Sequence, residues 1–72
     1  MSPKLPRLTA GEVERALERV GFRLVRQSGS HRIYRNDEGR RVTLPFHSSR
    51  ILHPKLLKAV LREAGLTEDD FR

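Results

Sequence analysis

The sequence contains no cysteine, no long apolar run and fewer acidic than basic residues. Without cysteine the chain cannot form disulfides, thiolate metal sites or a thiol nucleophile. Its apolar stretches fall far short of the roughly 20 residues that cross a bilayer. The opening segment MSPKLPRL lacks the apolar core of a signal peptide. We therefore expect a cytoplasmic protein with no membrane contact.

The length of 72 residues predicts a single domain over residues 1–72. A domain of this size buries only about 60% of the surface that its unfolded chain exposes. A deep private cavity for a large cofactor is therefore not expected, and no cofactor is predicted. Function should lie on the surface or in a shallow groove.

The positive charge is concentrated in the middle of the chain. The whole sequence has a net charge of +6, and residues 23–50 carry seven arginines against Asp37 and Glu38, a local charge of +5. The planar fork of arginine suits phosphate better than the point charge of lysine. A nucleic-acid backbone is the leading partner and an acidic protein the second. A basic surface that only aids solubility is the third interpretation.

Two segments have the apolar spacing of amphipathic helices. Thr9 and Glu12 match a capping box at the start of the first, which is predicted over about 10–20. Pro54 suits the first turn of the second helix, and Gly65 closes it. The second helix also carries a basic stripe, formed by Lys55, Lys58 and Arg62.

Three segments alternate in the manner of strands, at about 22–27, 30–35 and 40–45. A turn at Ser28-Gly29 and a hairpin loop at 36–39 separate them. The predicted class is α+β in the order α-β-β-β-α, with a three-stranded antiparallel sheet and two helices on one face. This is also the layout of double-stranded-RNA-binding domains.

Alternation along the strands predicts which side chains share a face of the sheet. The face under both helices is expected to carry Leu24, Ile33, Val42 and Leu44. The opposite face is expected to carry Val25, Tyr34 and Thr43. Pairing through the 36–39 loop would bring position 45 near position 30, and hence His47 close to His31.

His31 begins the second predicted strand, directly after Ser28-Gly29-Ser30. Imidazole is the usual side chain for proton transfer near neutral pH, and RNA supplies its own nucleophile, the 2′-hydroxyl. A histidine that only caps the turn is the alternative. His47 is the candidate for a second proton-transfer or phosphate-positioning group, or else a surface loop residue. The three histidines of the chain, His31, His47 and His53, match no zinc-ligand spacing, so no metal site is predicted.

Four ordered stretches resemble the HicA family of toxin–antitoxin toxins, which are small mRNA interferases: KLPRLTAGEVERALERVGF, RQSGSHRIY, RRVTLPFH and LKAVLREAGLTEDDF. The family motifs match Gly21-Phe22, Gly29-Ser30-His31, Pro45-Phe46-His47 and the ending from Ala64 to Phe71. Together these stretches cover almost the whole chain. One departure is His53-Pro54, where family members often carry a Gly-Thr pair.

The resemblance implies a double-stranded-RNA-binding-domain-like fold and a metal-independent endoribonuclease that cleaves mRNA. It implies the toxin of a type II system in the stress response, neutralised by a HicB-type antitoxin and monomeric when free of it. The family's catalytic histidine falls on His31. The predicted RNA-binding residues are Arg26, Ser30, Arg32, Arg41, Lys55 and Lys58.

Two other functions fit the same basic middle segment. One is a non-catalytic RNA-binding module of the same fold. The other is an interaction protein whose basic face serves an acidic partner. The placement of His31 after Gly-Ser favours the enzyme, because lysine or arginine would serve for phosphate binding alone.

Overall fold

The computed structural model describes residues 7–47 and 50–71 and has the predicted α-β-β-β-α order. The helices are α1, Ala10–Arg19, and α2, Pro54–Ala64. The strands are β1, Arg23–Ser28, β2, His31–Arg35, and β3, Arg41–Pro45. A 3₁₀ turn, Glu68–Phe71, follows α2. The α+β prediction is confirmed. None of these described helices has the length and apolar character needed to cross a membrane.

Polar side chains cap both helices at their first turn. The Thr9 hydroxyl accepts the Glu12 N–H at 3.2 Å, and the Glu12 carboxylate accepts the Thr9 N–H at 2.9 Å, which completes the predicted capping box. His53 is the N-cap of α2, since its Nδ1 accepts the Lys55 N–H at 3.1 Å. Gly65 ends α2 with a φ of +71°, a left-handed conformation that favours glycine.

Both helices pack on one face of the sheet, which we call the inner face; the opposite side is the outer face. The core between them is apolar and continuous. Its buried members are Ala10, Val13, Ala16, Leu17, Phe22, Tyr34, Val42, Leu44, Leu52, Leu57, Val60, Leu61 and Ala64. The helices therefore leave the outer face of the sheet uncovered by secondary structure.

The sheet is antiparallel in the order β1-β2-β3. Tyr34 pairs with Leu24 on one side and with Val42 on the other, so these three side chains share the inner face. Ile33 pairs with Thr43 and lies on the outer face. The prediction is confirmed for Val42 and Thr43, and it is wrong for Ile33 and Tyr34, which exchange faces.

A difference of one residue in register accounts for this exchange. Pro45 lies opposite His31 and not opposite Ser30. A slip of one position moves every side chain of a strand to the other face. The loop after β2 fixes the observed register, because the Asn36 N–H donates to the Arg40 carbonyl oxygen at 3.2 Å.

Strand β1 forms an edge of the sheet, and all six of its residues are exposed. Leu24 lies on the inner face but is 43% exposed, so its predicted burial under the helices is wrong. Val25 is the extra residue of a β-bulge between Leu24 and Arg26. The bulge shifts the register in β1, and beyond it Arg26 pairs with Ile33.

Candidate nucleic-acid interface

A two-residue turn positions His31 at one end of the sheet. Ser28 pairs with His31, and Gly29 between them has a φ of +58°. Glycine is favoured here by its backbone angle. A Cβ atom built on Gly29 would meet no described atom within 4 Å, so the space over the turn is open. The side chain of Gln27 closes the turn by donating from Nε2 to the Gly29 carbonyl oxygen at 3.1 Å.

His31 is exposed on the outer face, beside Pro45 of β3. The chain continues from Pro45 to Phe46, whose N–H donates to the Ser30 carbonyl oxygen at 2.6 Å. This bond extends the pairing past β3 and holds the segment that leads to His47 next to the turn before His31. His47 is also exposed. Both histidines are therefore carried at the same end of the sheet.

The outer face is a grid of three rows that run across the strands. The first row contains Ser28, His31 and Pro45; the second contains Arg26, Ile33 and Thr43; the third contains Arg23, Arg35 and Arg41. Rows on one face are about 7 Å apart, because alternate residues of a strand share a face. His31 thus lies at one end of the grid, and four arginines lie in the other two rows.

Most of these arginines lack a carboxylate partner. Arg23 donates to Asp37 at 2.9 Å in an exposed ion pair. Among the side chains that the structure describes, none forms an ion pair with Arg26, Arg35 or Arg41. Exposed, unpaired guanidinium groups on one surface attract and bind phosphate.

A shallow groove of about 320 Å³ opens between these arginines. Its lining is Val25, Arg26, Ile33, Arg35 and Arg41. The groove therefore combines two apolar side chains with three cationic ones. Because it belongs to the second and third rows of the grid, it lies beside the row that contains His31.

Arg32 faces the other way and belongs to the inner side of the sheet. Its Nη1 donates to Glu14 Oε2 of α1 at 2.8 Å, and the two side chains are only 24% and 20% exposed. Its Cζ lies 3.8 Å from the centroid of the Phe46 ring, in a cation–π contact. Arg32 thus links α1 to the strand that begins with His31 and to the segment before His47.

Tyr34 completes this inner cluster by donating its hydroxyl to the same Glu14 oxygen. Burial raises the pKa of the Glu14 carboxyl, but the hydrogen bonds from Tyr34 and Arg32 outweigh that effect, so its pKa lies below the ordinary 4.5. Burial raises the pKa of Tyr34, and its hydrogen bond to Glu14 raises it further. At neutral pH the cluster holds one carboxylate, one guanidinium and one neutral phenol.

The sequence-predicted site residues lie in three places. His31, Ser30, Arg26 and Arg41 lie on or beside the outer face, with His47 at its His31 end. Arg32 is held on the inner side. The remaining two, Lys55 and Lys58, are exposed on α2, which covers the inner face.

Sequence reasoning missed Arg35 and Ile33 as members of this surface. The signal was present for both, because His31, Ile33 and Arg35 alternate along β2 and therefore share a face. Val25 was predicted on the face away from the helices, and it lines the groove there, although it is the extra residue of the bulge in β1. Within residues 7–47 and 50–71, no three histidine or acidic side chains gather closely enough to hold a metal ion.

Comparison with known proteins defines the class to which this fold and surface belong. A family model described as "HicA toxin of bacterial toxin-antitoxin" matches residues 10–66, which is more than half of the chain. No curated protein matches. The chain belongs to the HicA toxin family. Its role is that of a toxin in a toxin–antitoxin system, and such a role implies an antitoxin partner in general.

Proposed function

We propose that this toxin is a metal-independent endoribonuclease that cleaves mRNA on the outer face of its sheet. His31 transfers the proton that starts the reaction, and a HicB-type antitoxin neutralises the enzyme. The toxin acts in the cytoplasm and is monomeric when free of its antitoxin. Membership of the HicA toxin family supports the toxin role, and the site supports the chemistry.

One observation carries the proposal: an exposed histidine lies in the same surface grid as three arginines without described ion-pair partners. His31 occupies the first row, and Arg26, Arg35 and Arg41 occupy the second and third. The arginines can hold an RNA backbone in place, and His31 is exposed, so a phosphodiester can reach its imidazole. Positioning and proton transfer are the two requirements of this reaction.

The chemistry uses the nucleophile that RNA already carries. The imidazole of His31 removes the proton of a 2′-hydroxyl, whose oxygen then attacks the adjacent phosphorus. An O2′–P bond forms and the P–O5′ bond breaks, which leaves a 2′,3′-cyclic phosphate and a 5′-hydroxyl. The leaving 5′ oxygen needs a proton, and His47 is our candidate for supplying it or for positioning the phosphate.

The remaining predicted residues receive different roles in this proposal. Arg26, Ser30 and Arg41 contact the RNA, and Arg35 joins them. Arg32 holds β2 through Glu14 and Phe46 instead of binding phosphate. Lys55 and Lys58, on the helical side, would contact only RNA that extends around the edge of the sheet.

The antitoxin is proposed to cover the outer face around His31. Its matching surface would present acidic or polar groups to the arginines, because the toxin surface carries net positive charge there. The proposal implies that RNA and antitoxin compete for the toxin. A complex that still binds RNA at full affinity would contradict this part of it.

The decisive experiment is cleavage of a long RNA by the purified protein in EDTA, compared with the His31→Ala variant. His31→Ala should lose cleavage by about 10²–10⁴ in rate while its fold and RNA affinity stay nearly unchanged. DNA of the same sequence should remain intact, because it lacks the 2′-hydroxyl. Equal cleavage by folded His31→Ala, or equal cleavage of DNA, would refute the mechanism.

A matched control is His53→Ala, which removes another exposed histidine. His53 caps α2 through Nδ1, so its loss should lower the melting temperature but leave cleavage intact. The alternative function, a non-catalytic RNA-binding module, predicts RNA binding with no cleavage by the wild-type protein.

A further inference from the structure

The groove in the outer face contains more than phosphate binding requires. We propose that it is a subsite for one unpaired nucleotide of RNA, with the base against Ile33 and Val25 and the flanking phosphates on Arg26, Arg35 and Arg41. This subsite rests on the proposed function, since it gives that RNA a defined place beside His31. It differs from the cleavage position, which lies in the row of His31.

The arginines of the third row indicate that an anion belongs there. Arg35 and Arg41 are direct cross-strand partners, and like charges in such a pair destabilise a sheet. Arg23, in the same row, has Asp37 as its partner, whereas no described carboxylate reaches Arg35 or Arg41. A bound phosphate would supply the missing negative charge.

The apolar part of the lining indicates a base as well as a phosphate. Ile33 lies on the outer face in the middle row, and Val25 is 47% exposed in the bulge. Aliphatic side chains contribute nothing to holding a phosphate. They do favour the flat face of a nucleobase, which also stacks on guanidinium planes.

The accessible base must be unpaired. In A-form duplex RNA the base faces are stacked on one another, and proteins contact mainly the backbone and the 2′-hydroxyls. A sheet face with an apolar centre instead suits a splayed base, as sheets that read single-stranded RNA do. We therefore assign single-stranded RNA, not duplex, to this groove.

The spacing along β2 sets the role of the subsite. Ile33 is two residues from His31 on the same face, a separation of about 7 Å. A nucleotide in the groove would therefore neighbour the cleaved linkage and not be the cleaved one. Loss of the groove should raise KM and leave kcat nearly unchanged, in contrast to loss of His31.

Binding measurements can test the subsite without any cleavage. The His31→Ala protein is titrated into a fluorescent, unstructured oligoribonucleotide and into an abasic ribose-phosphate oligomer of equal length. Arg35→Gln with Arg41→Gln should weaken binding of both probes at least about tenfold. The slope of log Kd against log salt should become shallower by about 0.7 for each phosphate that the variant no longer binds.

The Ile33→Thr variant tests the contact with the base separately from the contacts with the phosphate backbone. Threonine keeps the β-branched shape that suits a strand, so the variant should fold. It should weaken binding of the RNA probe by about three- to tenfold and leave binding of the abasic probe unchanged. Arg62→Gln, an exposed arginine on α2, is the control and should change neither affinity.

The outcomes separate the two proposals. If Arg35→Gln with Arg41→Gln binds both probes at the affinity of its parent, or if Ile33→Thr affects both probes alike, the subsite is refuted while cleavage at His31 stands. If the parent protein binds no RNA, the proposed function fails together with the subsite. Tighter binding of duplex than of single-stranded RNA would also overturn the assignment.

Discussion

The two faces of the sheet use arginine in opposite ways. On the inner side, Arg32 is bound to Glu14 and lies against the Phe46 ring, and Tyr34 donates to the same carboxylate. On the outer side, Arg35 and Arg41 stand opposite each other with no described ion-pair partner. Arg32 and Arg35 are only three residues apart in one strand, so the alternation of the strand separates them.

This difference indicates which arginines stabilise the fold and which are available to bind a ligand. A charge whose partner lies within the chain helps to build the fold, since pairing offsets part of its loss of hydration. A set of like charges kept together without partners costs stability, and the cost is repaid only when a ligand binds. Mutations on the inner face should therefore change the stability of the fold, and mutations on the outer face should change the affinity for RNA.

The largest expected effect on stability is a contrast between two adjacent residues of β2. Tyr34 is completely buried, so Tyr34→Ala should cost about 3–5 kcal/mol of unfolding free energy. Ile33→Ala on the outer face should cost only about 1 kcal/mol, because it leaves no closed cavity. Urea unfolding measures both. A larger loss for Ile33→Ala would mean that the faces are assigned the wrong way round.

A smaller effect is expected from the carboxylate of the inner cluster. Glu14→Gln should cost about 1.5–3 kcal/mol at pH 7, because it weakens hydrogen bonds to a charged group. Since the folded-state pKa of Glu14 is lowered from 4.5, its contribution is present above that pH and is lost as the pH falls through the folded-state value. The wild-type advantage should thus shrink below about pH 4.5.

Glu18→Gln is the matched control for that experiment, because Glu18 is exposed on the same helix. It should unfold with the wild-type free energy across the same pH range. If Glu14→Gln and the wild type show the same difference at pH 7 and at low pH, the carboxylate charge does not stabilise the cluster.

The smallest expected effect is a gain in stability, in contrast to the losses above. Arg35→Gln removes one of two facing positive charges and should raise the melting temperature by about 2 °C at low salt. Arg32→Gln, in the same strand, should lower it because Glu14 loses its charged partner. Calorimetry in low salt makes the comparison. A loss of stability in Arg35→Gln would show that the outer arginines also hold the fold together.

The sequence was sufficient to predict the helices and strands, but not which side chains lie on each face of the sheet. Capping residues and glycine stops are local signals, which is why the helices and the order of strands could be predicted. The face on which a side chain lies depends on the register between strands. Pro45 was expected opposite Ser30 but lies opposite His31, and this shift of one residue exchanges the faces of Ile33 and Tyr34.

The division of the arginines could not be predicted for the same reason. Glu14 and Arg32 are 18 positions apart, and only the packing of α1 on the sheet brings them together. Composition counts both kinds of arginine alike, so Arg32 looked as suited to phosphate as Arg26. His31 could be proposed from the sequence because the residues around it form a motif, and the structure adds the surface beside it.

We propose that RNA binds the outer face and leaves the inner cluster undisturbed. The most direct measurement is an NMR titration of isotope-labelled His31→Ala protein with an unstructured RNA, observing the Nε–Hε signals of the arginines. We expect shifts for Arg26, Arg35 and Arg41 and little change for Arg32. Shifts confined to Arg62 and to the α2 lysine side chains, with the outer-face arginines unmoved, would contradict it.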